Sequence, residues 1–472
     1  MHVLATYLAL ILLATPLHAT IWTFLLYATF SAAVIWIIGT RRIAINTDSP
    51  NRSYFAGVIA LFTAMRIIPF MRWGSSALGA DMGAYYRNFN ACFASFAECL
   101  KEPIAAIGYM PYAIGLGTQT ILITFHLAAS AAIAIGVYRI TKSEWGGKAA
   151  FWSVAIYALS LPQFLFYWSF FLKMEIALAA SLFSIHAYTQ RQKKAGIYAA
   201  LAGIIHPLTI VPLAATFVTT GIANDTKKYS YIVAATGILA MAATKWNAIF
   251  VYLEYALSYA RGTYAFTEQS FLAGHFVGFS FYQNSLMLFY VPFALLAIAW
   301  LIRHKKLPAI GWYALINLIL ISINAVFHNR FIVLFDISCI ILAGYMIAVF
   351  TERLRTPPLK KALVILIILI AGYPLYESAR MEPLVNATEL KELVTLQGKY
   401  GGMPIFINNA TYHQLVLGYT KHPTILSPFN EEPWQSLGIP SLIYNARRST
   451  PANPGDDSHF TRVSERIFKY EP

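Results

Sequence analysis

Asp81 is the residue whose type and setting most invite chemistry. It stands in Gly79-Ala80-Asp81-Met82-Gly83-Ala84-Tyr85-Tyr86-Arg87, where an apolar run gives way to a long polar segment. A lone carboxylate at such a boundary can serve as general base toward a hydroxyl when its geometry and pKa suit. The same side chain ahead of Met82-Gly83-Ala84 also suits a helix N-terminus, where it caps free N–H groups. The two roles are compatible. Arg66, Arg72 and Arg87 lie near it in sequence, and Lys173, Lys245 and Arg330 fall near the ends of other apolar runs. Any one of these cations could snorkel to lipid headgroups. Several converging from separate runs would instead form a phosphate clamp, with Arg supplying a bidentate fork. A phosphate leaving group needs such a clamp, because stabilising its developing charge drives departure.

Four further positions belong with these. His206, before Pro207, reads either as a donor to phosphate or hydroxyl or as a hydrogen-bonded structural residue. Glu175, two positions beyond Lys173, reads as its ion-pair partner or as a second acid. His328-Asn329-Arg330 make a compact polar group at the end of one run, and Asp336 further along reads as half of an internal salt bridge. Other chemistries have no motif. The chain lacks a Gly-rich phosphate loop ending in Lys-Ser/Thr, zinc-spaced Cys/His clusters and a Gly-x-Ser-x-Gly elbow. No cofactor is assigned. A divalent ion held by Asp81 and a donor phosphate is compatible with the chain, but no metal motif supports it.

The elements that must position these residues are membrane spans. Hydrophobic residues make up 58% of the 472 and charged ones only 12%, about half the usual charged share of roughly 25%. About thirteen apolar runs are expected to cross a bilayer as helices. They are His2–Leu17, Ile21–Thr40, Tyr54–Phe70, Thr118–Tyr138, Ala149–Trp168, Leu172–Tyr188, Gly196–Ile205, Leu208–Ile222, Tyr229–Trp246, Ser285–Ile302, Pro308–Val326, Phe331–Phe350 and Ala362–Tyr376. An unbroken span through His206-Pro207 would exceed the bilayer, so a hairpin is expected there. The first run lacks a basic leader and a second follows at once, so it reads as a retained span.

The net charge of +14 follows topology and is no nucleic-acid signature. Before Tyr376, eighteen Lys and Arg fall in alternate loops and eight elsewhere. The positive-inside rule then places the N-terminus in the cytoplasm and everything after Tyr376 outside. Cys92 and Cys99 share an outer loop where oxidising conditions permit a disulfide. On one straight helix they would be about 10 Å apart, so a bridge requires a break between them. Cys339 lies inside a span and reads as core.

Two outward segments are long, Met71–Gly117 and Asn247–Asn284, and long loops on one face usually carry function. Pro103–Gly117 is too short and too rich in Gly and Pro to span, and reads as interfacial. Glu254, Arg261, Glu268 and His275 recur every seven residues, as on an amphipathic helix at the interface. From Glu377 onward acids become common and apolar runs short. The expected organisation is a transmembrane domain over 1–376 and a small extracytoplasmic α/β domain over 377–472.

With those residues in view, the chain resembles the GT-C glycosyltransferase superfamily. The resemblance rests on Gly79-Ala80-Asp81 with Tyr85 in an outer loop, on Phe170–Ser184 followed by Arg191–Lys194 and Ala200–Leu213, on Asn329-Arg330-Phe331 opening a span, and on the outer tail. It implies an all-α polytopic fold and a polyprenyl-phosphate-linked sugar donor. The acceptor would be an extracytoplasmic glycan, lipid or protein. It further implies Asp81 as catalytic base; taken with the charged and polar residues read above, Tyr85, Arg66, Arg87, Lys173, Glu175, His206, His328 and Arg330 are expected to bind substrate. The Asp loop follows the third span here, whereas many members with lipid-monophosphate donors carry it after the first. Arg66, Gly79-x-Asp81, Tyr85 and Ala202-Gly203-Ile204-Ile205-His206 also resemble EpsG-type exopolysaccharide polymerases, giving polymerisation of lipid-linked oligosaccharides as an alternative. A lipid or glycan transporter is a third reading, but few ionisable groups lie within the spans, which favours an enzyme. The expected location is the plasma (inner) membrane.

Overall fold

The computed structural model describes residues 52–73, 78, 79, 81–95, 99, 103–260, 290–323, 325, 327–353, 376, 381–396, 399–407, 410–426, 440–444, 459–464 and 466–471. The expected spans His2–Leu17 and Ile21–Thr40, Ala362–Tyr376 apart from its last residue, and the stripe from Arg261 to His275 lie outside the described residues. Two compact units emerge. The first takes its described residues from Met1–Met65, Ala129–Phe166 and Lys173–Arg380, and the second from Arg66–Ala128, Tyr167–Leu172 and Met381–Pro472.

In chain order the helices are α1 (Arg52–Trp73), α2 (Asp81–Ala94), α3 (Pro103–Ala113), α4 (Thr118–Trp145), α5 (Gly147–Leu159), α6 (Leu161–Trp168) and α7 (Leu172–Thr189). They continue with α8 (Lys194–Ile205), α9 (Pro207–Ala223), α10 (Lys227–Ala260), α11 (Val291–Arg303), α12 (Ala309–Ser322) and α13 (His328–Arg353). The C-terminal part holds α14 (Ala387–Leu396), β1 (Ile405–Ile407), α15 (Ala410–Thr420), β2 (Thr424–Leu426), β3 (Ser441–Tyr444), β4 (Phe460–Arg462) and β5 (Ile467–Tyr470). Apolar runs become helices because a bilayer offers backbone N–H and C=O groups no other partner. Among the described residues, two helices are long and apolar enough to cross a membrane, Thr118–Trp145 and His328–Glu352. The pair α5 and α6, bent by 52° at Ser160, makes a third if it is one broken span.

In the first unit α13, whose apolar stretch is buried throughout, packs against α5, α11 and α12. Lys148 of α5 pairs with Glu352 of α13 at 3.1 Å. Two turns into α13, the Asp336 carboxylate accepts hydrogen bonds from Ser160 Oγ at 3.0 Å, Gln163 Nε2 at 2.8 Å and Tyr290 OH. Ser160 also accepts from the Gln163 backbone N–H at 3.3 Å, so one network fastens the bend between α5 and α6.

A second group in this unit is the trio α8, α9 and α10. Gly196 and Gly203 lie against Thr236 and Met241, whereas Ile210 lies against Gly237 and Gly221 against Ser230. So α8 climbs along α10 and α9 descends, which is the expected hairpin. The turn is a single residue, His206, extended at φ −146° and ψ 106°, with Pro207 opening α9. Pro suits that first position, where its missing N–H costs nothing. Beyond this level α10 kinks at Lys245 (φ −128°, ψ 30°).

In the second unit α2 leads to a disulfide between Cys92 and Cys99, and the break that it requires follows Ala94. On the short helix α3 and just after it, Ile107, Met110, Ile114 and Leu116 are exposed, as an interfacial segment would have them. The five strands run in the order β2-β1-β3-β5-β4, with β1 parallel to β2 and β3 and the remaining pairs antiparallel. Phe406, Ile443 and Tyr470 form the sheet's core. Asn386 opens α14 with a reciprocal cap. Its Oδ1 accepts from Glu389 N–H at 2.8 Å, and Glu389 accepts back from Asn386 N–H at 3.1 Å.

Candidate active site

The predicted residues fall into two clusters, one in each unit. In the second unit Asp81 is half-buried in the first turn of α2, where a carboxylate complements the helix dipole. The turn before it is tight. A Cβ on Gly79 would lie 2.0 Å from the Ser169 carbonyl oxygen, so only glycine fits there. Tyr85 is buried one turn along and packs on Phe170, ring centroids 6.2 Å apart, while Arg87 is exposed.

Arg66 is not at a water-facing rim. It is 1% exposed, with its guanidinium carbon 5.0 Å from the Tyr167 ring centroid. Tyr167 OH donates to the Arg66 carbonyl at 2.8 Å. Behind Tyr167 stands His126 of α4, stacked on it at 4.1 Å and packed on Phe170 at 4.2 Å. One His126 ring nitrogen, Nε2, lies 2.7 Å from the Tyr167 carbonyl oxygen. A continuous stack therefore runs from Arg66 through Tyr167, His126 and Phe170 to Tyr85. Phe170 holds a left-handed backbone, φ 60°, which is unfavourable for so bulky a residue. Sequence reasoning missed His126, Tyr167 and Phe170. The one available signal was a lone imidazole inside the apolar run that begins at Thr118.

In the first unit the turn residue His206 is the focus. It is 8% exposed, and its Nδ1 has no hydrogen-bond partner among the described residues. Burial pushes the imidazole down to about 3, with the charges of Arg330, Lys173 and Lys245 adding to the effect. These cations come from α13, α7 and the kink of α10, so three separate elements direct positive charge at one buried ring. Lys173 and Arg330 are half-buried, as is His328 at the start of α13. The turn ahead of them carries Phe327 in the left-handed region at φ 61°, and the Arg330 guanidinium lies over that ring at 5.4 Å. Glu175 is buried one turn into α7. No group of three or more His, Cys, Asp and Glu placed to hold a metal occurs among the described residues.

No protein-family model matches the chain, and no curated protein matches it by sequence. Solved structures do. The apo oligosaccharyltransferase of Archaeoglobus fulgidus aligns with a TM-score of 0.52 and 13% identity, over 80% of this chain and 64% of that one. The same archaeal enzyme, AglB, in complex with an inhibitory peptide and a dolichol-phosphate, aligns at 0.50 and 14% over the same shares. Apo ArnT from Cupriavidus metallidurans aligns at 0.51 and 14% over 88% of this chain and 98% of that one. The chain thus spans about 64% of the oligosaccharyltransferase and nearly all of ArnT. Both neighbours are glycosyltransferases, and at these identities the likeness is one of fold: the chain shares the fold of these two proteins.

Proposed function

We propose that the protein is a membrane glycosyltransferase that moves a sugar from a polyprenyl-phosphate-linked donor to an acceptor on the outer face of the plasma membrane. The observation that carries this reading is that the charges of Arg330, Lys173 and Lys245 all act on buried His206, whose Nδ1 has no hydrogen-bond partner among the described residues. Positive charge from three separate elements acts at this buried ring, which suits an anionic group. A phosphate fits because Arg330 offers a fork and the lysines offer point charges. The fold likeness supports the same reading, since its neighbour AglB was solved in complex with an inhibitory peptide and a dolichol-phosphate.

In the proposed reaction Asp81 takes the proton from the acceptor hydroxyl. The acceptor oxygen forms a bond to the anomeric carbon, the bond from that carbon to the phosphate oxygen breaks, and its electron pair leaves on the lipid phosphate. One displacement inverts the anomeric centre. The cations hold the growing negative charge, and His206, neutral in the free protein, can donate to a phosphate oxygen. The stack from Arg66 to Tyr85 braces the segment on which Asp81 stands.

Asp81→Asn tests the assignment. Asn preserves size and caps about as well as Asp, but it cannot take up the proton. The purified variant should fold and bind lipid-linked donor, yet transfer sugar about 10²–10⁴-fold more slowly. Near-wild-type transfer would end the claim that this carboxylate is the base. Mass spectrometry of envelope glycans and glycoproteins with and without the gene then identifies the sugar and the acceptor class.

A further inference from the structure

We propose that the C-terminal α/β part of the chain positions the Asp81 carboxylate, and that Gly418 and Tyr419 are its positioning residues. The inference rests on the reading of Asp81 as base. Helix α15 lies along α2, the helix that Asp81 opens. At Gly418 the two helices approach backbone to backbone. A Cβ on Gly418 would lie 2.0 Å from the Gly83 carbonyl oxygen and 2.7 Å from the Gly83 Cα, two residues beyond Asp81. The next residue, Tyr419, stacks on Tyr86 with centroids 4.5 Å apart, and its hydroxyl donates to Gln119 Oε1 at 2.9 Å.

The other flank of Asp81 is held by the same part of the chain. Leu384 N–H donates to the Leu78 carbonyl at 3.2 Å, three residues before Asp81. The Leu384 carbonyl in turn accepts from Tyr412 OH at 3.2 Å, and Tyr412 belongs to α15. Glu382 O accepts from Trp168 Nε1 at 3.3 Å, next to the Ser169 carbonyl on which Gly79 rests. Behind these contacts α15 is anchored by fully buried Leu415 and Val416 and by Tyr412 packed 6.0 Å from Tyr444 of β3.

The physical consequence follows from stiffness. A side-chain contact gives way by changing rotamer, whereas two touching backbones move only if a helix moves. A first-turn carboxylate is carried rigidly by its helix, so its position is set by whatever fixes Leu78 and Gly83. Alanine at 418 has to separate the helices by about 1.4 Å to reach an ordinary 3.4 Å contact. Misplacement by about 1 Å can cost about 10²-fold in rate.

The test is a double-mutant cycle on full-length protein in lipid nanodiscs, with thermal melting as the check on folding. Gly418→Ala and Tyr419→Leu are each made in wild-type and Asp81→Asn backgrounds. Gly418→Ala should lower kcat by about ten- to a hundredfold with donor KM within about twofold, and Tyr419→Leu should act the same way more weakly. Because the effect runs through the carboxylate, neither substitution should lower the residual rate of Asp81→Asn. Equal losses in both backgrounds, or a wild-type kcat in folded Gly418→Ala, would overturn the proposal. If Gly418→Ala does not fold, Tyr419→Leu carries the same cycle. Wild-type activity in Asp81→Asn alone would sink the base assignment instead, which separates the two failures.

Discussion

The buried imidazole of His206 makes a prediction about pH that needs no substrate. In the folded protein burial, with the charges of Arg330, Lys173 and Lys245, holds it at about 3, against 6.5 in the unfolded chain. The unfolded state therefore takes up a proton as pH falls through 6.5, while the folded state stays neutral. Stability contributed by this site is complete above about pH 7 and is lost progressively toward pH 3. Between pH 7.5 and 5.5 the loss is about 1.4 kcal/mol, from about 1.36 kcal/mol per unit of pKa difference. Any folded-state value below about 4.5 gives nearly the same figure, so the result does not depend on the depth of the shift. His206→Gln removes the titrating group and keeps a polar side chain. Unfolding of both proteins in matched detergent at the two pH values isolates the effect, because other titrations cancel in the difference. The stability gap between wild type and variant should change by about 1.4 kcal/mol in the variant's favour at the lower pH. Adding a polyprenyl phosphate should shrink that change, since the anion offsets the three cations and lets the imidazole accept a proton. Identical pH slopes without ligand would refute the placement of His206 as a buried neutral ring among cations.

Three further outcomes are expected. Arg330→Ala should abolish efficient use of the lipid-linked donor, and Arg330→Lys should recover only part, because it keeps charge but loses the fork; full activity in folded Arg330→Ala would show that this side chain merely anchors its helix. Asp336→Asn should destabilise the protein by about 1–3 kcal/mol in thermal or denaturant unfolding, because an amide NH₂ cannot accept from Ser160, Gln163 and Tyr290 together; an unchanged transition would show that the network is slack. Reporter fusions after Lys194 and Lys306 should read cytoplasmic and fusions after Tyr376 extracytoplasmic, and a cytoplasmic tail would remove the basis for an outer-face reaction.

What could be read from the chain depended on whether the signal was local. The His206 turn was legible because Pro207 interrupts an apolar run too long for one span, and Pro fits where α9 begins. The cations whose charge acts on His206 were legible one by one, since Lys173, Lys245 and Arg330 are the costly residues of otherwise apolar runs. Their shared electrostatic effect on one imidazole was not, because it depends on how elements far apart in the chain are placed. Asp336 shows the same limit. Its cost was evident, but its donors stand 173 to 176 residues upstream in Gln163 and Ser160 and 46 upstream in Tyr290. Helical periodicity orients a residue on its own helix and does not say which helix it will face. The contact between Gly418 and Gly83 is the extreme case. A glycine near the C-terminal end of a short helix reads as a weak helix former, and nothing in its neighbourhood announces a backbone waiting at the other end of the chain. Yet a helix interior that tolerates glycine's entropic cost without a turn to form needs some other reason, and close backbone approach is the reason that remains. On that argument the costly glycines within predicted helices are the sequence positions from which long-range contacts to Asp81 could have been sought.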